Sequence, residues 1–254
     1  MRQLKSLCES KLFQRITDSS LKAIVESAAR DSAALLGTVD INMPLFTLHD
    51  ERHILNVISW METLLDVSDI QLGQFEGALC ILAAYTHDLG MTLDFAERTA
   101  LPKDPRFLRH RDRYPEECRL IDRLRTEGDY GRASLIESFL CMDYLRDTHA
   151  KEPAARLRKC IDQIAPDLNY KGFHFSKQLK LVAVSHNCSA EWLRGEFEKQ
   201  GMLWHTPVGP DERVNFPFIG LLLRLADIMD FDASRAPAVL FRHIGLDHEL
   251  TSRF

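Results

Sequence analysis

Three features of the sequence predict an all-α bundle. Apolar residues recur at helical spacing along most of the chain, as at Leu55, Ile58, Met61 and Leu65. Residues 74–89 and 218–231 are apolar around most of their circumference, the mark of helices buried inside a bundle. One string, LWHTPVGPDERV before and up to Val214, breaks the pattern: Pro-Val-Gly-Pro cannot continue a helix, so residues 202–214 read as a short hairpin or a loop.

The chain has 254 residues, 45% apolar and 27% charged, enough to bury one large core and with no sign of disorder. A net charge of -5 argues against a surface wholly adapted to nucleic acid, though a local basic patch remains compatible with it. No apolar run approaches the roughly 20 residues needed to span a bilayer, and MRQLKSLCESKL lacks an apolar signal core. The expected location is cytoplasmic, with no membrane partner. Six widely spaced cysteines form no C-x-x-C pair, and most lie in apolar helical company, so they read as free buried thiols.

In chain order, residues 1–37 give two amphipathic patterns, expected to pack on the core as an N-terminal helical cap. Asp18-Ser19-Ser20 supplies the turn and N-cap, and Gly37 the stop. Residues 38–48, with Pro44, read as an extended lead-in. A helix starting near Asp50 places His49 and His53 four apart on one face. The central helix, 74–89, ends at Gly90 and carries His87 and Asp88 in its last turn. Residues 94–115 hold Pro102, Pro105 and Pro115 and predict an exposed, partly irregular excursion. It is basic: residues 106–125 contain seven arginines against four acids, which reads either as a solvated face or as a phosphate-binding lid. Helices follow at 115–126, 132–149, 153–164, 176–187 and 190–199, and the last, 218–231, delivers Asp227 to the interior. Without repeats, low-complexity tracts or linkers, residues 38–254 read as one globular unit.

The chemistry lies in the polar groups that these apolar helices carry. An imidazole or a carboxylate taken out of water needs a partner, and a bound cation is the simplest partner for both. His53, His87, Asp88 and Asp227 come from three separated helices and leave room for water and substrate. Mixed imidazole and carboxylate donors suit ions such as Mn, Fe, Co, Ni or Zn. A lone His-Asp pair is common by chance. Much rarer is the combination of His53 with Val57 four residues on, then A-x-Y-T-H-D-L-G ending at Gly90, then L-x-L-A-D ending at Asp227.

On these residues the chain resembles the HD-domain superfamily of metal-dependent phosphohydrolases. The resemblance implies an HD-domain helical bundle that binds one or two divalent ions (Mn, Fe, Co, Ni, Zn or Mg), with His53, His87, Asp88 and Asp227 on the metal. In superfamily members with more than one ion, further histidines bind the second and the aspartate of the pair bridges. His149 in YLRDTHAKE and His186 in LVAVSHNCS fit that place. In the cyclic-nucleotide phosphodiesterase branch the first histidine of H-N-x-x-H protonates the leaving oxygen. Here L-H-D-E-R-H has the spacing but Asp50 in place of Asn, so His49 reads as a general acid or as an N-cap group. The expected catalytic residues are thus His49 and Asp88. Arg146 and Arg224, each one helical turn before a ligand, read as contacts to substrate phosphate or as structural ion pairs. Asp230, Asp232 and Arg235 read as a network capping the last helix. His110, His174, His205, His243 and His248 read as surface residues.

Within the superfamily, LLLRLADIMDFDASRAPAVLF with YLRDTHA and SHN is similar to bacterial HD modules at the front of proteins that carry an Hsp90-like ATPase domain. That likeness implies the first module of a longer protein, an ATPase domain or partner, and a role in stress or bacterial defence. The lysine and Gly-Tyr-Pro loop of cyclic di-GMP hydrolases are missing, with Met91 and Arg113-Tyr114-Pro115 in the chain instead. The expected function is a metal-dependent phosphohydrolase acting on a nucleotide or nucleic-acid phosphoester. The alternatives are a non-catalytic nucleotide-sensing or docking module that regulates an Hsp90-like ATPase, and a metal-dependent nuclease suggested by the arginine-rich stretch.

Overall fold

The computed structural model describes residues 4–39, 51–149, 154–202, 204–209 and 211–230. They form a helical bundle, as the periodicity predicts, with two small hairpins.

A short helix α1 (Lys11–Gln14) precedes α2 (Ser19–Leu36), whose N-terminus is capped by the Asp18 carboxylate accepting from the Leu21 amide. Gly37 ends α2. Helix α3 (Glu51–Val67) and helix α4 (Gln74–Thr86) follow, and α4 is buried along nearly its whole length. Helices α1, α2 and α3 all pack on α4. Glu62 of α3, although buried, is satisfied by the Ser10 hydroxyl and the Leu12 amide, which ties α1 to the core. The lead-in expected at 38–48 lies almost wholly outside the described residues.

The excursion at 94–115 is more ordered than its prolines predict. It consists of α5 (Phe95–Ala100), a 3-10 turn (Leu101–Lys103) and α6 (Pro105–Arg111). Each proline opens an element instead of breaking one: Pro102 the turn, Pro105 helix α6 and Pro115 helix α7 (Pro115–Thr126). At a first helical position the missing N–H has no intrahelical partner to lose. The Asp94 and Asp104 side chains cap α5 and α6.

Helix α8 (Tyr130–Thr148) packs on α7, and α9 (Ala155–Ile164) lies against the 3-10 turn Leu89–Met91 that follows α4. Helix α10 (Ser176–Ser185), helix α11 (Ala190–Lys199) and helix α12 (Phe216–Met229) complete the bundle, with α12 seated on α3, α4 and α10. The hairpin expected near 202–214 is present as β3 (Thr206–Val208) and β4 (Glu212–Val214). A second hairpin, β1 (Asn169–Tyr170) and β2 (Phe173–His174), was not expected, because two-residue strands carry no readable alternation. Its turn places Lys171 and Gly172 at φ 49° and 82°, a conformation that glycine adopts without strain.

All six cysteines are free. Cys80 and Cys160 are buried, and Cys118, Cys141 and Cys188 are half-buried, but Cys8 is exposed, because it lies on the 3-10 turn ahead of α1. No helix among the described residues is long and apolar enough to cross a membrane.

Candidate metal centre

Five elements end on one point. Helix α3 contributes His53 from its first turn, α4 stops at His87, and Asp88 follows in the turn beyond. His149 and His186 hold the same C-terminal position on α8 and α10, and Asp227 lies in the last turn of α12.

Three of the histidines use one local device. Each sits at a helix C-terminus and donates its Nδ1–H to the carbonyl three residues back: His87 to Ala84 at 2.8 Å, His149 to Arg146 at 2.8 Å and His186 to Ala183 at 2.6 Å. Those carbonyls are free because the helix ends there. His53 is anchored differently, its Nδ1 lying 2.7 Å from a carboxylate oxygen of Asp230. With every Nδ1 committed as a donor, each neutral ring presents an Nε2 lone pair.

Those lone pairs face one another. The Nε2 atoms of His53 and His87 are 3.3 Å apart, and those of His149 and His186 are 3.2 Å apart. Asp88 spans the two pairs. Its Oδ2 is 3.5 Å from His53 and 3.1 Å from His87, and its Oδ1 is 3.4 Å from His149 and 3.8 Å from His186. Asp227 Oδ1 lies 3.5 Å from His53 and 3.7 Å from His87. Two donors about 2.1 Å from a shared ion stand about 3.0 to 3.4 Å apart at octahedral to tetrahedral angles. The donors therefore fit cations, in two groups: His53, His87 and Asp227, and Asp88, His149 and His186. The four imidazoles and Asp88 are buried, whereas the Asp227 side chain is 25% exposed and marks an open side.

The electrostatics agree. Burial alone would push His87 toward neutrality, but the charges of Asp88 and Asp227 outweigh it and hold the ring well above the usual imidazole range. Asp88 is held well below the carboxylate range and Asp227 falls to about 2, burial being overcome in both by the facing histidines. His186 drops to about 3, through burial first and then repulsion from His87 and His149. The pocket stabilises positive charge among ionised carboxylates and keeps one ring as a neutral donor.

A profile of the HD-CE family matches residues 43–253, a span that includes all six of these side chains. The chain belongs to the HD-CE family. No curated protein and no solved structure matches it.

Three further residues of this HD-CE chain support the centre, none of them foreseen as part of it. Asp230, expected to cap the last helix, is buried and turned inward, where it anchors His53 and accepts from Asn56 Nδ2 at 3.0 Å. The helix end needs only its backbone, since the Asp230 amide donates to the Asp227 carbonyl. The spacing D-x-x-D at an apolar helix end was the available signal. Asp232 and Arg235 lie outside the described residues. The Asn187 amide nitrogen stands 3.0 Å from the Nε2 atoms of both His149 and His186. Gly90, expected as a helix stop, allows a close approach: a Cβ there would stand 2.3 Å from the His149 carbonyl oxygen.

His49, expected as a proton donor, lies outside the described residues. Arg146 is exposed, and its backbone carbonyl is the part of it that holds His149. Arg224 is half-buried on α12. Neither lines the cavity of about 560 Å³ that adjoins His149. His110 lines that cavity and is buried, not a surface residue as its polar neighbours suggested. It packs on Tyr144, with its Nε2 2.9 Å from Asp143.

Proposed function

We propose that this HD-CE domain is a metal-dependent phosphohydrolase acting on phosphoester bonds. The supporting observation is the convergence of four imidazole Nε2 atoms and two carboxylates inside an apolar bundle, a donor set whose spacing suits divalent cations. His53, His87 and Asp227 would hold one ion and His149 and His186 a second, with one Asp88 oxygen on each. A divalent ion in such a site supplies Lewis acidity and a water nucleophile near neutral pH.

The protein's own part is positioning. The Nδ1–H anchors fix the four rings before any ligand arrives, so little reorganisation is required on binding. The exposed edge of Asp227 leaves a path for substrate. His49, two residues before α3 in the sequence, is proposed as the proton donor to the leaving oxygen.

The test is elemental analysis of purified protein, followed by assay of p-nitrophenyl phosphate and a nucleotide panel with Mn, Fe, Co, Ni, Zn and Mg. Turnover that disappears in Asp88→Ala is expected. No bound transition metal and no activity restored by any ion would overturn the reading. Stabilisation by a nucleotide without turnover would assign a sensing role instead.

A further inference from the structure

The cavity beside His149 is lined by Arg106, Arg109 and Arg113, from α6 and the loop after it, and by Arg156 of α9. Against these four stand two lining carboxylates, Glu97 and Asp147. Both are shared: Glu97 lies 3.4 Å from Lys159 and 3.9 Å from Arg156 Nε, and Asp147 lies 3.6 Å from Arg113. Arg106 is held by Asp104, and Arg109 makes no ion pair among the described residues. A volume of about 560 Å³ suits a small ligand.

Arg156 links the cavity to the centre. Its guanidinium donates to the Gly90 carbonyl at 3.0 Å, in the turn that follows Asp88, while its buried Nε has no hydrogen-bond partner. The side chain is 19% exposed and forms part of the cavity wall. Planar guanidinium groups match phosphate oxygens, and four of them line this one cavity. His149 belongs at once to this lining and to the half of the centre formed with His186 and Asp88.

From this juxtaposition we infer that the arginine cavity is a subsite for a second phosphate group. Resting on the phosphohydrolase reading for the reacting phosphate, it narrows the substrate class to compounds with at least two phosphates. One phosphate meets the histidine cluster, and a neighbouring one is held by Arg106, Arg109, Arg113 and Arg156. The arginine-rich excursion is thereby divided. Its first part faces the centre, whereas Arg123 and Arg125 are taken up by Glu127 and Glu137.

The experiment compares calorimetric binding of orthophosphate and of methylenediphosphonate, a non-hydrolysable diphosphate, to the purified metal-loaded chain. The wild type is expected to bind the diphosphonate at least about tenfold more tightly. Arg109→Gln, and separately Arg106→Gln with Arg113→Gln, should bring that preference close to one. Arg194→Gln, on α11 outside the cavity, should preserve it. Equal binding of the two probes by the wild type, or a preference that survives in both cavity variants, would overturn the inference. Turnover is read separately: its absence with every ion would count against the hydrolase reading and leave the binding preference as measured.

Discussion

The two halves of the candidate metal centre are built from the same kinds of side chain but held in different ways. In the first half, a carboxylate anchors His53, and Asp227 adds a second charge facing the rings. In the second half, His149 and His186 hang from backbone carbonyls, and Asp88 is the one carboxylate among the described residues grouped with them. A carboxylate behind an imidazole raises its donor strength more than a peptide carbonyl does. The first half should therefore hold its ion tightly and the second exchange its ion more readily. The second half also faces the arginine cavity, and that suits an ion that works together with the substrate.

The sharpest way to break this comparison is to remove what the halves share. Asp88→Ala should empty both, whereas His186→Ala should cost one ion and leave the other, as metal content per chain will tell. Equal loss from the two variants would mean that the halves are not separable.

Next in size is Gly90→Ala. The added methyl meets backbone and not a flexible side chain, so we expect about 3 kcal/mol of destabilisation in chemical unfolding. The remaining folded protein should show selective loss of the second ion, because the displaced backbone is that of His149.

Asp230→Asn keeps every ligand and removes only the charged anchor of the first half. A drop of about 10- to 100-fold in affinity for the tighter ion is expected in a chelator competition titration, with the weaker ion unaffected.

Acid and alkali should act on different rings of the metal-free protein. His186 is depressed to about 3 from an ordinary value of 6.5, so its contribution is intact above 6.5 and is lost as pH falls toward 3. His87 is raised, so its contribution is intact below 6.5 and is lost as pH rises through its folded value. These two groups together place maximal stability near pH 6.5, with limbs of at most about 1.4 kcal/mol per pH unit for each proton. His186→Gln should flatten the acid limb alone in denaturant titrations run across pH.

The smallest effect is expected from Arg146→Ala. Its part in the centre is a backbone carbonyl, which the substitution keeps, so metal content and affinity should change by less than about twofold.

Much of this was legible in the sequence. The apolar period of α3, α4 and α12 exposed the helices, and His87-Asp88 at the end of one of them, with Asp227 in another, exposed the candidate ligands. His149 and His186 were legible for a related reason, since each closes an apolar helix where a polar ring has no local use. Other residues were not legible. Asp230 resembled an ordinary helix-end aspartate until α12 was seen lying on α3, and Gly90 resembled an ordinary stop until α8 was seen ending against it. His110 was misjudged because most of its neighbours in sequence are polar, while in space it packs on Tyr144, which lies far along the chain.

The sequence by itself determined where most of the longer helices run and which candidate ligands would be stranded in apolar surroundings, because both follow from local spacing and composition. Only the tertiary structure decided which helix ends meet, which arginines share a cavity with His149, and which aspartate stands behind His53. Those are relations between segments far apart in the chain, and they are set by how the buried faces pack.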